Sequence, residues 1–244
     1  MRVPVRVVVA LSLLPLAAGF ALLHPAAAAA TPTVVALWHM DEPAGATTMV
    51  DSSGSNNNGS LTNVETGVAG PPAGPCQADF GLCYRFAGAG LPSVAVVPHS
   101  DTMNPGANDV TLSEWVNTGV IPPPSVGDYD MIRKGLSTTP GGDYKMEVLP
   151  KRQGTVAKAS CHFRGSVAKA TLTKGPNLAD NQWHHIQCTK KATSIELRVD
   201  ANLYTKTVTI GSISNTADVT VGAKSPTGGD QYTGLMDEVS ISIG

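Results

Sequence analysis

Aromatic residues make up only 5% of the 244 positions, which leaves few rings for any binding platform. An excess of charge is also lacking, with 17 Lys and Arg against 19 Asp and Glu. Without a basic patch, nucleic acid and anionic membrane are poor candidate partners. Helical periodicity is almost absent. Beyond the first thirty residues, no apolar run reaches the roughly 20 residues that span a bilayer. Neither a G-x-S-x-G elbow nor an H-E-x-x-H zinc helix occurs. No C-x-x-C spacing points to zinc.

The amino terminus has a charged start at Arg2 and Arg6, an apolar run from Val7 to Leu16 and a second from Ala17 to Leu23, and ends in the alanines Ala26 to Ala30. This is the pattern of a secretory signal peptide, with cleavage expected near Ala30. Residues 1–30 are therefore read as leader and 31–244 as a single exported domain. Removing Arg2 and Arg6 takes the basic count from 17 to 15 against an unchanged 19 acidic residues, so the mature chain carries a mild negative charge. No membrane span remains after cleavage, and a secreted, extracellular protein is expected.

Four cysteines, Cys76, Cys83, Cys161 and Cys188, lie in the exported part. An even count in a secreted chain argues for two disulfides. Of three possible pairings, the preferred one joins the local pair Cys76–Cys83 and the two strand-borne residues Cys161–Cys188.

Short alternating runs separated by Gly, Pro, Asn and Asp recur along the whole exported chain, as in a sandwich or barrel. Strands are expected at 34–40, 84–87, 94–97, 110–118, 129–134, 144–149, 156–164, 184–190, 194–199, 204–210, 218–223 and 235–243. Val34, Ala36, Trp38 and Met40 fall on one face, as do Ile195, Leu197 and Val199, the period-two burial of a strand with a core side and a wet side. Pro122–Pro124, Pro140-Gly141-Gly142 and Thr227-Gly228-Gly229 read as turns. Asp51 to Gly59 reads as a long oxygen-rich loop. No repeat and no second domain is visible, so no catalytic partner is expected on the same polypeptide.

Several motifs then resemble one family. Trp38-His39-Met40-Asp41-Glu42, Asp51-Ser52-Ser53-Gly54 and Asn58-Gly59-Ser60-Leu61 look like the opening of bacterial laminin-G-like jelly-roll domains. Tyr84-Arg85-Phe86 with Val94-Ala95-Val96-Val97-Pro98 matches the next segment. Trp183-His184-His185 with Leu197-Arg198-Val199-Asp200 resembles the W-H-x stretch and the strand ending in V-D-G. Tyr232-Thr233-Gly234-Leu235-Met236-Asp237-Glu238-Val239 is similar to the closing G-x-x-D-E-V signature. Cysteine-bearing strands match the secreted actinobacterial-type members. The resemblance implies an all-β, two-sheet antiparallel jelly-roll of the concanavalin A-like type, with first and last strands adjacent. One departure is Ala201 where the family has glycine, so Asn202 or a longer turn is expected to supply the positive φ.

The fold hosts lectins, glycosidases and adhesion modules alike. A glycosidase would set two or three carboxylates at alternate positions of one strand. Here Glu196, Arg198 and Asp200 place an arginine in the middle, and Glu147 reads as alone on its face. The expectation is thus a non-catalytic module binding an extracellular glycan or cell-surface ligand. The alternatives are a protein-interaction or structural domain and, disfavoured, a glycoside hydrolase.

Calcium takes about six to eight oxygen ligands. With terminal strands adjacent, Asp41, Asn57 or the Gly59 carbonyl, and Asp237 form a candidate structural calcium site. The competing reading makes Asp51 an Asx-turn and pairs Asp237 with backbone. His184 and His185 must point to opposite faces, one packing with Trp183. The three tryptophans are assigned to the core. The exposed platform is sought at Tyr129, Tyr144, Tyr204 and Tyr232, near Asp128, Asp130 and Arg133. Of these, Tyr129, Arg133 and Tyr144 are the candidate ligand contacts.

Overall fold

Beta-branched residues in alternation need a pleated, half-buried surface, and the chain provides one repeatedly. A computed structural model describes residues 31–70, 76, 81–87 and 90–244. The leader expected over residues 1–30 lies outside the described residues. Thr31–Gly244 forms one compact unit. The strands are β1 (Thr33–Trp38), β2 (Thr48–Met49), β3 (Gly59–Thr62), β4 (Val64–Ala69), β5 (Leu82–Ala87), β6 (Val94–Val97), β7 (Val110–Asn117) and β8 (Tyr129–Lys134). They continue as β9 (Asp143–Lys151), β10 (Val156–Arg164), β11 (Lys169–Lys174), β12 (Trp183–Lys190), β13 (Ser194–Val199), β14 (Asn202–Thr207), β15 (Val219–Val221) and β16 (Thr233–Ile243). One short 3-10 turn, Asp101–Met103, is the only helical element among the described residues.

The strands build two eight-stranded sheets. The first runs β14-β13-β12-β7-β16-β5-β4, with β1 also against β16; the second runs β11-β10-β9-β8-β15-β6-β3-β2. Pairing between strands is antiparallel throughout. The jelly-roll sandwich and its adjacent terminal strands match the sequence reading.

The core fills the space between the sheets. Trp38 is fully buried, and its indole N–H donates to the Asn57 carbonyl at 2.8 Å. Tyr232 meets Phe86 and Tyr129 edge-on, with centroids 6.2 and 6.3 Å apart, a favoured aromatic geometry. Gly222, at φ +87°, sits where a Cβ would lie 2.2 Å from the Phe86 ring; glycine alone fits. Cys161 of β10 and Cys188 of β12 join the two sheets through a buried disulfide, and Cys76 pairs with Cys83. A smaller apolar cluster gathers Val68, Cys76, Cys83 and Leu235, with Trp183 packed on it.

Local departures have local causes. Register slips between Val34 and Ala36, so Val34 is exposed and Val35 turns inward. The positive φ at the β13–β14 hairpin falls on Asp200, at +54°, and not on Asn202. Aspartate tolerates this conformation because its side chain bonds locally, and here Asp200 accepts from the His185 amide at 3.0 Å. Only Trp38 is a fully buried tryptophan. In β7 the inward set is Val110, Leu112, Glu114 and Val116, which turns Trp115 to the outer face, where it stacks on His185 at 4.9 Å. The two histidines do face opposite ways, but the ring partner of His185 is Trp115. His184 is buried between Asp180 and Asp200.

Candidate ligand-binding site

The same alternation that fills the core decides what the outer face of the second sheet presents. Along β9, Tyr144, Met146 and Val148 enter the core, while Asp143, Lys145, Glu147 and Leu149 line an open hollow of about 490 Å³. Asp128 and Arg133 around β8, His162 of β10 and the loop residues Lys224 and Asp230 complete its polar wall. Glu147 is therefore not alone. Cross-strand register sets Asp130 and Ser160 on either side of it, an arrangement that a search along one strand misses. The signal was the D-x-K-x-E spacing of Asp143, Lys145 and Glu147, read against the neighbouring strand.

Charges here are matched side by side. The Lys145 ammonium lies 2.9 Å from Asp128 and 3.3 Å from Asp130, and also pairs with Glu147. Arg133 pairs with buried Asp130 and donates to the Gly135 carbonyl at 3.1 Å. Carboxylate oxygens of Asp128, Asp130 and Glu147 lie within 4.8 Å of one another. Such a trio suits a cation, and the Lys145 ammonium occupies that role. Burial, reinforced by a hydrogen bond with Asp128, pushes Glu147 up to about 8. Burial alone would raise Asp128 too, but hydrogen bonds from Glu147 and Lys145 outweigh it and hold that carboxyl below its ordinary value. Of this pair, Glu147 is the carboxyl that its surroundings bias toward the protonated form. Further out, Asp143 takes Arg164 at 2.5 Å and His162 at 3.3 Å, and Lys224 takes Asp230 at 2.8 Å. The result is an array of charged groups, most of them buried or half-buried, that hold one another in place along the hollow.

The sequence-expected contacts fare unevenly. Arg133 lines the hollow. Tyr144 does not: it is fully buried with its hydroxyl on the Met103 carbonyl at 3.1 Å, because its strand position points inward. Tyr232 is buried likewise, its hydroxyl on Asn117 and Leu235 carbonyls. Tyr129 is 5% exposed and borders a separate hollow. Tyr204 is half-buried on β14. The expected tyrosine platform is not assembled.

Of the calcium candidates, Asp41 and Asp237 come into electrostatic reach. Burial first, then the Glu238 and Asp41 charges, push Asp237 up to about 8, and its Oδ2 is buried without a hydrogen-bond partner. Asn57 and Gly59 are not brought to them. The Asn57 amide bonds Val35 and Thr102, and its carbonyl takes the Trp38 indole. Gly59 lies within β3, between β2 and β6. Asp51 does form a local turn, accepting from Leu37, Ser53 and Asn57 amides at 2.8–2.9 Å.

Two antiparallel sheets sharing one core define a jelly-roll sandwich. Residues 92–242 match a laminin G family of the concanavalin A-like lectin/glucanases superfamily, and the chain belongs to that family. The binding domain of Paraclostridial Mosquitocidal Protein 1 has a similar fold, with TM-score 0.61 and 15% identity over 86% of this chain and 48% of its own. Domain 4 of AbnA, a GH43 extracellular arabinanase from Geobacillus stearothermophilus in complex with arabinotriose, gives 0.56 and 15% over 87% and 93%. The Botulinum neurotoxin serotype D binding domain gives 0.54 and 12% over 86% and 47%. This chain spans about half the length of either toxin domain. At these identities the likeness is one of fold. No curated protein matches the sequence.

Proposed function

We propose that this protein is an exported, non-catalytic binding module that takes an extracellular glycan in the hollow across β8–β10. The observation carrying this reading is the hollow itself, whose polar groups are already fixed by ion pairs and cost little entropy to order when a ligand arrives. Export is supported by two disulfides, which persist in oxidising compartments, and by the leader-like start. Among the described residues no helix is long and apolar enough to cross a membrane. The similar arabinanase domain was solved with arabinotriose, which makes neutral oligosaccharides the first ligands to try. A non-catalytic role agrees with Lys145 and Arg133 engaging the carboxylates that would otherwise act as acid and base.

A glycan array followed by calorimetry is the test. Replacing His162 and Lys224 together by alanine, two side chains on the rim of the hollow, should weaken binding at least about tenfold, the equivalent of roughly 1.4 kcal/mol, with an unchanged melting point. Binding that survives the double substitution sinks the assignment. A blank array, with a surface protein retained instead, would select the second reading, a protein-interaction domain. The observation favouring that reading is that no Trp, Tyr or Phe is among the described residues lining the hollow.

A structural calcium ion at Asp41 and Asp237 is part of the same proposal. Buried Asp237 with a free oxygen needs either a proton or a cation beside it, since an isolated buried charge is costly. Calcium should therefore raise the melting point by several degrees over chelator-treated protein, with proton release near neutral pH. An unchanged midpoint rejects the ion.

A further inference from the structure

We infer a second binding site, on the outer face of the first sheet, for a sugar carrying a single carboxylate. Strand register lays out two polar rows across four adjacent strands there. Arg198 of β13 stands opposite Gln187 of β12, which stands opposite Ser113 of β7, and Ser113 opposite Ser240 of β16. The next row is Glu196, Thr189, Thr111 and Ser242. Directly opposed residues on one face have Cβ atoms about 5 Å apart, so these side chains form continuous bands.

Size grading along the bands makes the cavity. Serine and threonine on β7 and β16 keep the floor low, while Arg198 and half-exposed Leu203 rise at one side. The resulting hollow is about 310 Å³, at the small end of ligand pockets. Beyond the Gln187–Ser113 row, the next positions are His185 and Trp115, stacked at 4.9 Å. His185 is fixed by the Ser113 hydroxyl at 2.8 Å. The described lining residues are mostly polar and include no aromatic ring; they suit the hydroxyl edges of a sugar, with the His185–Trp115 pair one row beyond them.

Charge then selects the substituent. Every cation around the β8–β10 hollow is already ion-paired. On this face Lys191 is paired with Glu196 at 2.9 Å, but the Arg198 guanidinium has no ion-pair or hydrogen-bond partner among the described residues. A planar fork with five donors matches a carboxylate bidentately. Glu196 and Asp109 on the same rim repel a second negative charge, so a polysulfated or polyphosphate chain is disfavoured. A uronic acid residue within an otherwise neutral glycan fits all three constraints. This site stands apart from the one proposed above and does not depend on it.

Calorimetric titration with aldotetraouronic acid (xylotriose bearing one glucuronic acid), its methyl ester and sodium sulfate tests the assignment. Saturable binding of the acid is expected, at least tenfold weaker for the ester and for Arg198→Gln, and unchanged in the His162→Ala/Lys224→Ala protein. Gln187→Ala should weaken it less. Arg198 is half-exposed, and the melting point of Arg198→Gln should equal that of the parent, which separates lost binding from lost fold. Sulfate competing as well as the sugar acid would show a bare anion site and overturn the sugar. Equal binding of acid and ester, full binding by Arg198→Gln, or no saturable binding at millimolar concentration would each overturn the site.

Discussion

Replacing Cys161 and Cys188 together by alanine is expected to lower the unfolding free energy by about 3.5 kcal/mol, by chain entropy for the 27-residue separation. For a domain of this size that is a fall of roughly 7–14 °C in melting point. The pair joins β10 to β12, one strand from each sheet, and both residues are fully buried. Without the bond, the unfolded chain regains the freedom that the loop denied it, while the folded core loses two well-packed sulfurs. The Cys76–Cys83 link spans a separation of 7, for which the same relation gives only about 2.4 kcal/mol. Chemical denaturation of the two double-alanine proteins, alongside the parent, should therefore rank them in that order. Equal losses would refute the entropic account, and peptide mapping that finds a Cys76–Cys161 link would refute the pairing.

Period-two alternation carried most of the fold. It placed Ile195, Leu197 and Val199 inward, and all three are fully buried. Alternation cannot foresee a slip in register, which is why Val34 and Val35 exchange faces at the β1 irregularity. Strands β2, β3, β4 and β11 escaped detection for a different reason. In β11 the inward residues are Ala170 and Leu172 between lysines and threonines, too little apolar mass to stand out from a turn-rich stretch. The outer-face site was less legible still, because its carboxylates converge from neighbouring strands and register is a property of the sheet, not of any one segment. Tyr144 shows the converse error. A tyrosine beside charged neighbours suggests an exposed ring, yet Met146 and Val148 two and four residues on fix its side as the inner one.

Strand β7 carries one inward residue that the fold tolerates at a cost. Val110, Leu112 and Val116 commit Glu114 to the interior, where it is fully buried and neither carboxylate oxygen has a hydrogen-bond partner. Burial pushes its carboxyl well above the ordinary value of 4.5, so the folded protein holds it as a neutral acid. Between that value and the raised one, the folded chain binds one proton more than the unfolded chain. Its contribution is thus fully present in acid and is lost as pH rises, by up to about 1.4 kcal/mol per pH unit. Glu147 and Asp237, each pushed up to about 8, add slopes of the same sign, so the informative quantity is a difference between proteins. Glu114→Met keeps the length of the side chain and removes the unsatisfied oxygens. It should stabilise the sandwich by about 1–3 kcal/mol near neutral pH, with the gain shrinking toward pH 4. Glu114→Gln should flatten the same difference while recovering less, since its amide remains unpaired among apolar neighbours. If denaturation curves of the parent and the methionine protein stay parallel from pH 4 to 8, Glu114 does not titrate with folding. Were the methionine protein the less stable of the two at neutral pH, the interior of β7 would have to hold a partner for this acid.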